Sequence, residues 1–178
     1  MVLLGLGSNL KSSFGDRFYN LDLAVLELSK FELKIKKKSS YYETPSFPNK
    51  NNPKFINIII EIETPLKPEN LASKILEVEK FLGRKRFKKN DPRTCDIDII
   101  DFNQQVLDFE HKGSTFKVPH EKLIYRNFVL FPLKEIKPDW KHPESNIKID
   151  DLIDRLSDED KNCLLDVIPD NKQDDPDQ

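Results

Sequence analysis

Two aspartates in a short apolar run give this 178-residue sequence its clearest sign of chemistry. Asp96 and Asp98 alternate with apolar residues in the segment 94–102. This pattern predicts a β-strand with both carboxylates on one face, about 7 Å apart along the strand. Asp101 falls on the opposite face by the same alternation. Because paired carboxylates can bind one divalent cation or two cations about 4 Å apart, the run predicts a metal site.

A cluster of basic residues directly precedes this strand. It consists of Arg84, Lys85, Arg86, Lys88 and Lys89, with Arg93 close behind. Basic side chains beside two aspartates are unusual for a calcium site, but they fit a site where magnesium and side chains together hold a polyphosphate. The aspartates alone would favour a solvated edge strand, and no glycine-rich phosphate loop offers a rival site. The combination of aspartates and basic cluster favours Mg-ATP chemistry.

Several further positions could bind a ligand, and each has a plainer structural alternative. Phe55 and Asn57 lie on the face of a predicted strand opposite its isoleucines, where they could meet a flat heterocycle. Core packing is the alternative for Phe55 and for Phe128. Glu79 lies beside the apolar stripe of a predicted helix, so a carboxylate in water and a ligand-binding carboxylate are equally good interpretations. A lone histidine such as His120 is more often structural than catalytic.

Alternation and helical periodicity predict the elements that position these residues. The predicted strands are residues 2–7, 34–44, 55–63 and 94–102, with a hairpin expected after residue 105. The predicted helices are residues 16–31, 68–82 and 149–156. Pro132 is expected to prevent a regular element over 128–136. The order of the elements favours an α+β fold: a ferredoxin-like core with a mostly antiparallel sheet in a three-layer α/β/α sandwich.

The charge distribution indicates which kind of ligand the protein favours and how its domain is organised. The net charge is −2, but residues 157–178 contain eight acidic residues and two lysines, which leaves +4 on the remainder. That charge favours an anionic ligand, yet it is a weak electrostatic footprint for nucleic acid. We expect one domain over residues 1–156 and a solvated, partly disordered acidic tail over 157–178.

Two features favour a cytoplasmic protein without a membrane partner. No apolar run approaches the roughly 20 residues that a membrane span requires, and no basic segment precedes an apolar one at the N-terminus, as it would in a secretory signal. The cysteines Cys95 and Cys163 are too few for a disulfide framework or a zinc site, which suggests a reducing compartment.

Taken together, the motifs are similar to those of the 6-hydroxymethyl-7,8-dihydropterin pyrophosphokinase family over residues 1–156. The matching motifs are Gly7-Ser8-Asn9-Leu10, Tyr42-x-Thr44-Pro45, Phe55-x-Asn57, Glu79 with Gly83-Arg84, Pro92-Arg93-Thr94-x-Asp96-x-Asp98, and Val118-Pro119-His120 with Arg126 and Phe128-Val129-Leu130. No single motif is specific, but the set is highly specific. The family usually has Trp-Gly where Asn90-Asp91 stands, in a loop one residue longer, and often tyrosine in place of Phe55.

The resemblance implies a reaction, its cofactor and its site residues. Pyrophosphate would pass from ATP to the hydroxymethyl group of 6-hydroxymethyl-7,8-dihydropterin, giving pterin diphosphate and AMP in tetrahydrofolate biosynthesis, with two magnesium ions held by Asp96 and Asp98. The implied pterin-binding residues are Thr44, Pro45, Phe55, Asn57, Asp96 and Phe128. The implied ATP-binding residues are Glu79, Arg84, Arg86, Arg93, Ile99, His120 and Arg126. The implied catalytic residues are Arg84, Arg93, Asp96 and Asp98. The protein is expected to be a monomer whose partners are ATP and the pterin, without nucleic acid or membrane.

Two other functions stay open on the residues alone. Another metal-dependent nucleotidyl- or phosphotransferase would keep the aspartates without needing a pocket of Phe55, Asn57 and Phe128. A non-enzymatic ferredoxin-like module could bind RNA through its basic loop and sheet aromatics, although the charge distribution argues against it. Pterin binding distinguishes the family reaction from the first alternative. Salt-sensitive RNA binding without magnesium would identify the second.

Overall fold

The computed structural model of the protein describes residues 1–46, 49–84, 92–164 and 166–169. Within these residues, six strands form one sheet and two form a separate hairpin. The sheet strands are β1 (Val2–Ser8), β2 (Lys34–Lys38), β3 (Tyr41–Thr44), β4 (Phe55–Glu63), β5 (Asp96–Phe102) and β8 (Asp166–Ile168), and the hairpin strands are β6 (Leu107–His111) and β7 (Ser114–Val118). The helices are α1 (Arg17–Ser29), α2 (Pro68–Phe81), α3 (Asn127–Ile136), α4 (Ile149–Asp154) and α5 (Asp158–Asn162), with a 3₁₀ turn at Leu123–Tyr125.

The central sheet is antiparallel at every described pairing, with β1 and β4 in its middle. Its strand order is β5-β1-β4-β3-β8. β2 is not on this path and pairs with residues 60–63 of β4, whereas β3 pairs with residues 55–57. The predicted strand over residues 34–44 is thus two strands, both of which pair with β4. Buried Ser39 lies at the interruption, where its backbone N–H donates to the Ile59 carbonyl and its hydroxyl accepts from the Ile59 N–H, each at 2.9 Å.

Helices cover both faces of the sheet. On one face, α1 and α2 pack on the alternating isoleucines of β4, which are Ile56, Ile58, Ile60 and Ile62. On the other face, α3 and α4 pack on a second apolar cluster that includes Leu3, Ile59 and Ile100. The predicted three-layer α+β architecture with a ferredoxin-like, mostly antiparallel core is confirmed.

The helix ends follow ordinary capping rules. Asp16 begins α1, because its side chain accepts a hydrogen bond from the Tyr19 N–H at 2.9 Å. Pro68 occupies the first turn of α2, where its missing N–H costs nothing, and Gly83 follows the helix with φ at +81°. Both helices agree with their predicted spans to within two residues at each end. None of the helices in the described ranges has the length and hydrophobicity that crossing a bilayer requires.

The prediction that Pro132 interrupts the segment 128–136 is wrong, because α3 continues through it. A proline inside a helix removes one hydrogen bond and crowds the preceding turn. Tertiary packing offsets this cost here, since Leu130, Leu133 and Ile136 are buried against the sheet and α4. The buried apolar face of α3, which the sequence pattern does not reveal, therefore decides the structure.

The predicted direction of Asp101 is also wrong, because β5 contains a bulge. In the pairing of β1 with β5, Leu4 lies opposite Ile99 while Leu3 lies opposite Asp101. The extra residue, Ile100, returns Asp101 to the face that carries the two upstream aspartates. Asp101 is thus buried in the second apolar cluster rather than on the opposite face.

Two polar partners compensate the buried Asp101 carboxylate. Its Oδ2 accepts a hydrogen bond from Trp140 Nε1 at 2.7 Å, and its Oδ1 accepts one from the Gln104 N–H at 2.7 Å. The indole bond links the end of β5 to the chain between α3 and α4. It thereby holds the second helical layer on the sheet.

Trp140→Phe should lower the free energy of unfolding by about 1–3 kcal/mol, because it leaves the buried Asp101 carboxylate without one donor. Urea unfolding followed by circular dichroism measures this, since Trp140 is the only tryptophan and its fluorescence is lost. Val106→Ala, at a position that is 57 % exposed, is the control and should change stability by less than about 0.5 kcal/mol. Equal stability of the two variants would show that Trp140 does not hold the layer through Asp101.

Candidate active site

Strand register brings the predicted site residues into adjacent rows on one face of the sheet. Gly7 of β1 pairs with Asn57 of β4 on one side and with Asp96 of β5 on the other. Asn57 pairs in turn with Tyr42 of β3. Because paired residues in antiparallel strands point to the same face, Asp96 and Asn57 lie on one face, with only a glycine between them.

The glycine in this row leaves space for its neighbours. A Cβ atom at Gly7 would lie 2.9 Å from the Asn57 Oδ1 atom and 3.7 Å from the Phe55 ring. Any side chain at this position would therefore displace the Asn57 amide or the phenyl ring. The sequence motif includes Gly7, but sequence reasoning assigned it no role.

The predicted heterocycle pocket is built from β3, β4 and the start of α3. Buried Asn57 donates from Nδ2 to the hydroxyl of Thr44 at 3.1 Å, so its amide group has a fixed orientation. Thr44 pairs with half-buried Phe55, and Pro45 follows in the chain. Phe128 lies in the first turn of α3, which packs against β3 and β4. The structure thus places Thr44, Phe55 and Asn57 side by side on β3 and β4, and it packs α3, which carries Phe128, on the same two strands.

A network of charged residues lies next to this pocket. Asp96 forms ion pairs with Arg84 at 2.5 Å and with Arg93 at 2.6 Å, one at each carboxylate oxygen. Arg84 also pairs with Glu79, whose Oε1 accepts a hydrogen bond from the Ile97 N–H at 2.9 Å. Glu79 is only 2 % exposed, so its carboxylate is not in water. The network connects the end of α2 to the beginning of β5.

Two arginines connect this network to the aromatic rings. The Arg93 guanidinium lies 6.0 Å from the centre of the Phe55 ring, and that of Arg126 lies 5.5 Å from the centre of the Phe128 ring. Arg126 also lies 3.7 Å from the Asp98 carboxylate. The heterocycle pocket and the charged network are therefore one continuous surface.

Burial and neighbouring charges shift the pKa values in the network. Burial acts to lower the pKa of Arg84, but the charges of Asp96, Glu79 and Asp98 more than offset this and raise it. Burial and the nearby Asp96 charge raise the pKa of Asp98, and Arg126 opposes the shift. Because the Asp98 side chain is still 41 % exposed, solvent screens these effects and a cation can approach the carboxylate.

Asn9 is a buried position for which the sequence motif predicts no role. It is 2 % exposed, and its side chain accepts from the Arg93 N–H at 2.7 Å while donating to the Pro53 carbonyl at 3.1 Å and the Ser46 hydroxyl at 3.2 Å. The backbone N–H of Asn9 donates to the Arg93 carbonyl at 3.1 Å. Asn9 therefore joins the loop after β1, the segment before β5 and the loop before β4. The only sequence signal was a polar residue at the end of an apolar strand.

A cleft of about 120 Å³ lies between β5, α2 and the β6–β7 hairpin. Its walls include the predicted residues Glu79, Arg84, Asp96, Asp98, Ile99 and His120. The opposite wall is β7, which sequence reasoning did not assign to the site. The alternating pattern of β7 predicts a hairpin strand, but it does not say against which surface the hairpin packs.

Burial shifts the pKa values of two titratable groups near the cleft towards their neutral forms. Burial and the charge of Arg126 lower the pKa of His120, which favours the neutral imidazole. Burial raises the pKa of Cys95 well above its usual value, which disfavours the reactive thiolate. Arg86, a predicted ATP-binding residue, and Asn90-Asp91 lie outside the described residues.

The donor set of the candidate cation site suits magnesium. Asp96 and Asp98 provide hard carboxylate oxygens at alternate positions of β5 on one face. Across the residues that the structure describes, no group of three or more His, Cys, Asp or Glu side chains could enclose a metal ion. Two carboxylates leave coordination positions for water and substrate phosphate, as magnesium prefers.

An α+β sheet with paired carboxylates, three arginines and an aromatic pocket on one surface fits an enzyme that transfers a phosphate-containing group. Residues 3–138 match the model of the 7,8-dihydro-6-hydroxymethylpterin-pyrophosphokinase (HPPK) family. The chain belongs to this family. The prediction of a pyrophosphokinase of folate synthesis that acts on 6-hydroxymethyl-7,8-dihydropterin is thereby confirmed.

Curated relatives agree with this assignment. The chain is 39 % identical over 142 residues to the 2-amino-4-hydroxy-6-hydroxymethyldihydropteridine pyrophosphokinase of Aquifex aeolicus, covering 80 % of this chain and 83 % of the relative. It is 37 % identical over 137 residues to the enzyme of the same name from Bacillus subtilis, covering 76 % and 77 %. The folic acid synthesis protein fol1 of Pneumocystis carinii is 31 % identical over 96 % of this chain, which spans only 22 % of that protein.

Solved structures show the same fold. The wild-type HPPK-DHPS of Plasmodium falciparum with pteroate matches with a TM-score of 0.66 at 15 % sequence identity. The match covers 86 % of this chain and 43 % of that one. At this identity the likeness supports the fold alone, and it agrees with the layered architecture described above.

Glu79→Gln should lower the free energy of unfolding by about 1–3 kcal/mol. Glutamine can still accept from the Ile97 N–H, but it removes the charge that faces Arg84 in a buried setting. Urea unfolding measures the loss. Glu77→Gln is the matched control on the same helix, since Glu77 is 47 % exposed in a pair with Lys74, and it should cost about 0.5 kcal/mol or less. If the two variants lost equal stability, the buried charge of Glu79 would not stabilise the network more than an exposed carboxylate does.

Proposed function

We propose that this chain performs the family reaction with magnesium ions at Asp96 and Asp98 and with the pterin between Phe55 and Phe128. The observation that carries the proposal is the row in which Asp96, Gly7 and Asn57 stand on three adjacent strands. This row puts a cation site beside a heterocycle pocket. The hydroxymethyl oxygen of a bound pterin would attack the β-phosphorus of ATP, and the bond from that phosphorus to the oxygen bridging to the α-phosphorus would break. AMP would leave with this bridging oxygen, and the hydroxymethyl group would release its proton to water.

The pocket residues would bind and orient the pterin. Asn57 is suited to hydrogen-bond the amide edge of the heterocycle, because Thr44 holds its amide group in one orientation. Phe55 and Phe128 would stack on its two faces, and Thr44 and Pro45 would close its rim. Asp96 would lie next to the hydroxymethyl group. Such positioning makes a large contribution to phosphoryl transfer, which needs little covalent help from the protein.

The charged network would bind the polyphosphate of ATP. Arg84 and Arg93 neutralise Asp96 in the structure described, and both guanidiniums would turn from the carboxylate to phosphate oxygens when ATP binds. Two magnesium ions, when bound, would neutralise phosphate charge and hold the reacting oxygens in line. We propose that Asp96 and Asp98 exchange their arginine partners for these cations when ATP binds. Arg84, Arg93, Asp96 and Asp98 are then the catalytic residues.

The cleft between β5 and β7 would hold the nucleoside part of ATP. Ile99 gives it an apolar wall, and His120, whose Nδ1 accepts from the Lys122 N–H, can donate a hydrogen bond there from Nε2. Glu79 lines the cleft beside Arg84, and Arg126, which is not part of its lining, lies 3.7 Å from the Asp98 carboxylate. The assignment of Arg86 to ATP, the monomeric state and the cytoplasmic location stay predictions from the sequence.

AMP release from ATP by the purified chain tests the proposed function. With magnesium present, AMP should appear only when 6-hydroxymethyl-7,8-dihydropterin is added, together with pterin diphosphate. Chelation of magnesium with EDTA should stop the reaction, and added magnesium should restore it. Formation of ADP, or of AMP without pterin, would contradict the proposal and favour another acceptor.

Asp96→Asn and Asp98→Asn should each reduce turnover by on the order of 10²- to 10³-fold, because each removes a charge that stabilises the transition state. Turnover is measured at saturating substrates, and circular dichroism confirms that each variant is folded. Asp108→Asn, at an exposed hairpin position, is the control and should keep full activity. Turnover close to that of the unaltered chain in either site variant would remove that residue from the cation site.

Phe128→Ala should weaken pterin binding by about 1–3 kcal/mol, since one stacking surface is lost. The dissociation constant is measured by the fluorescence of the oxidised pterin in the presence of a non-hydrolysable ATP analogue. Tyr125→Ala, at a nearby ring that is 70 % exposed, should leave the constant unchanged. An unchanged affinity in the Phe128→Ala variant would contradict the pocket.

A further inference from the structure

The segment after α4 folds back onto the candidate pocket. It comprises residues 157–164 and 166–169, and we call it the C-terminal strap. It contains α5 and β8 and lies beyond residue 138, where the family match ends. The acidic sequence predicts a solvated tail here, so the contacts of the strap are not expected from the sequence.

The first contact extends the sheet. β8 pairs with β3, with Tyr41 opposite Ile168, Tyr42 opposite Val167 and Glu43 opposite Asp166. Ile168 also packs against the main apolar core. β3 is therefore an internal strand, held on both sides up to the residue before Thr44.

The second contact fixes the start of α3. Buried Asn127 donates from Nδ2 to the Asp160 carbonyl of α5 at 2.6 Å. Its Oδ1 accepts from the N–H of Phe128 at 2.6 Å. One amide group thus links the strap to the residue that carries the proposed stacking ring.

The third contact reaches the loop that follows Pro45. Lys50 lies 3.3 Å from Glu159 of α5. Both side chains are well exposed, so this ion pair is weaker than the first two contacts. Asn9 holds Ser46 and Pro53, which lie near the two ends of the same loop. The strap adds a contact at Lys50, between those two residues in the chain.

We propose that the C-terminal strap is a positioning element of the pterin pocket, a role that rests on the proposed function. Its hydrogen bonds and ion pairs outside the C-terminal helices go to the segments that carry Thr44 and Phe128 and to the loop that follows Pro45. Among the described residues, its hydrogen bonds and ion pairs do not connect it to α2, β5 or β7, the walls of the ATP cleft. Holding these segments before ligand arrives lowers the cost of ordering them on binding. The strap therefore acts selectively on the pterin.

Asn127 variants of the full chain test the selectivity. Asn127→Asp replaces the donor by an oxygen while keeping an acceptor for the Phe128 N–H, and Asn127→Ala removes the donor without adding a charge. Both should raise the dissociation constant of 6-hydroxymethylpterin about five- to tenfold. The dissociation constant of a non-hydrolysable ATP analogue with magnesium should stay within about twofold. Asp158→Asn, at an exposed neighbour in α5, is the control and should change neither constant.

The ion pair is tested by charge reversal. Lys50→Glu should raise the dissociation constant of the pterin about twofold, and adding Glu159→Lys should restore it, because the double variant re-forms the pair. Hydrogen exchange of the ligand-free chain gives an independent measure. Residues 41–44 and 49–54 should exchange faster in the Asn127 variants, whereas α2 and β5 should not change.

The outcomes separate this inference from the proposed function. Equal weakening of both ligands, or unchanged exchange of residues 41–44 and 49–54, would overturn the strap's selective role. An unaltered chain that does not bind the pterin would instead contradict the proposed function, and the exchange data would still show whether the strap orders these segments. If both Asn127 variants bound the pterin as tightly as the unaltered chain, the strap would have no role in positioning the pocket.

Discussion

The candidate site depends on the register of β1 between its two neighbours. In this register Gly7 stands between Asn57 and Asp96, and a slip of β1 by one residue would put the side chain of Leu6 or Ser8 between them instead. That register is fixed by the other face of the same strands, where alternating isoleucines of β4 are buried beneath α1 and α2. Core and site are therefore two faces of one alternating pattern. The glycine completes it, since a side chain there would meet the Asn57 amide at 2.9 Å.

Charge compensation is the second constraint on this surface. Removing Glu79 from water is costly, and its contacts with Arg84 and with the Ile97 N–H offset this cost. Arg84 in turn shares Asp96 with Arg93, so no charge in this chain of contacts stands alone. The same arrangement keeps the guanidiniums beside the aromatic rings. The proposed exchange of carboxylate partners for phosphate and cations when ATP binds would keep every charge compensated in both states.

The sequence predicts the parts of the molecule that follow from local pattern. β4 has the predicted bounds because its isoleucines alternate without interruption, and the same alternation places Asp96 and Asp98 together. Local pattern fails where distant contacts decide. Pro132 lies inside a helix because its neighbours are buried, and Asp101 changes face because of a bulge. Local pattern also fails to predict the role of Asn9, because its hydrogen-bond partners lie more than 35 residues away in the chain.

The chain-terminal segment shows how a site can depend on residues that carry no chemistry. The reacting groups proposed here stand on β1, β4 and β5 in the middle of the sheet, where neighbours on both sides fix their positions. The rim of the pocket has no such support: Thr44 ends a short strand, and Phe128 stands at the first turn of a helix. Such positions are the least restrained in a fold, because fewer contacts oppose their movement. Without β8, β3 would present an open edge beside the pocket. The C-terminal strap covers this edge and hydrogen-bonds to Asn127. It thereby restrains the rim of the pocket, as neighbouring strands restrain the centre of the sheet.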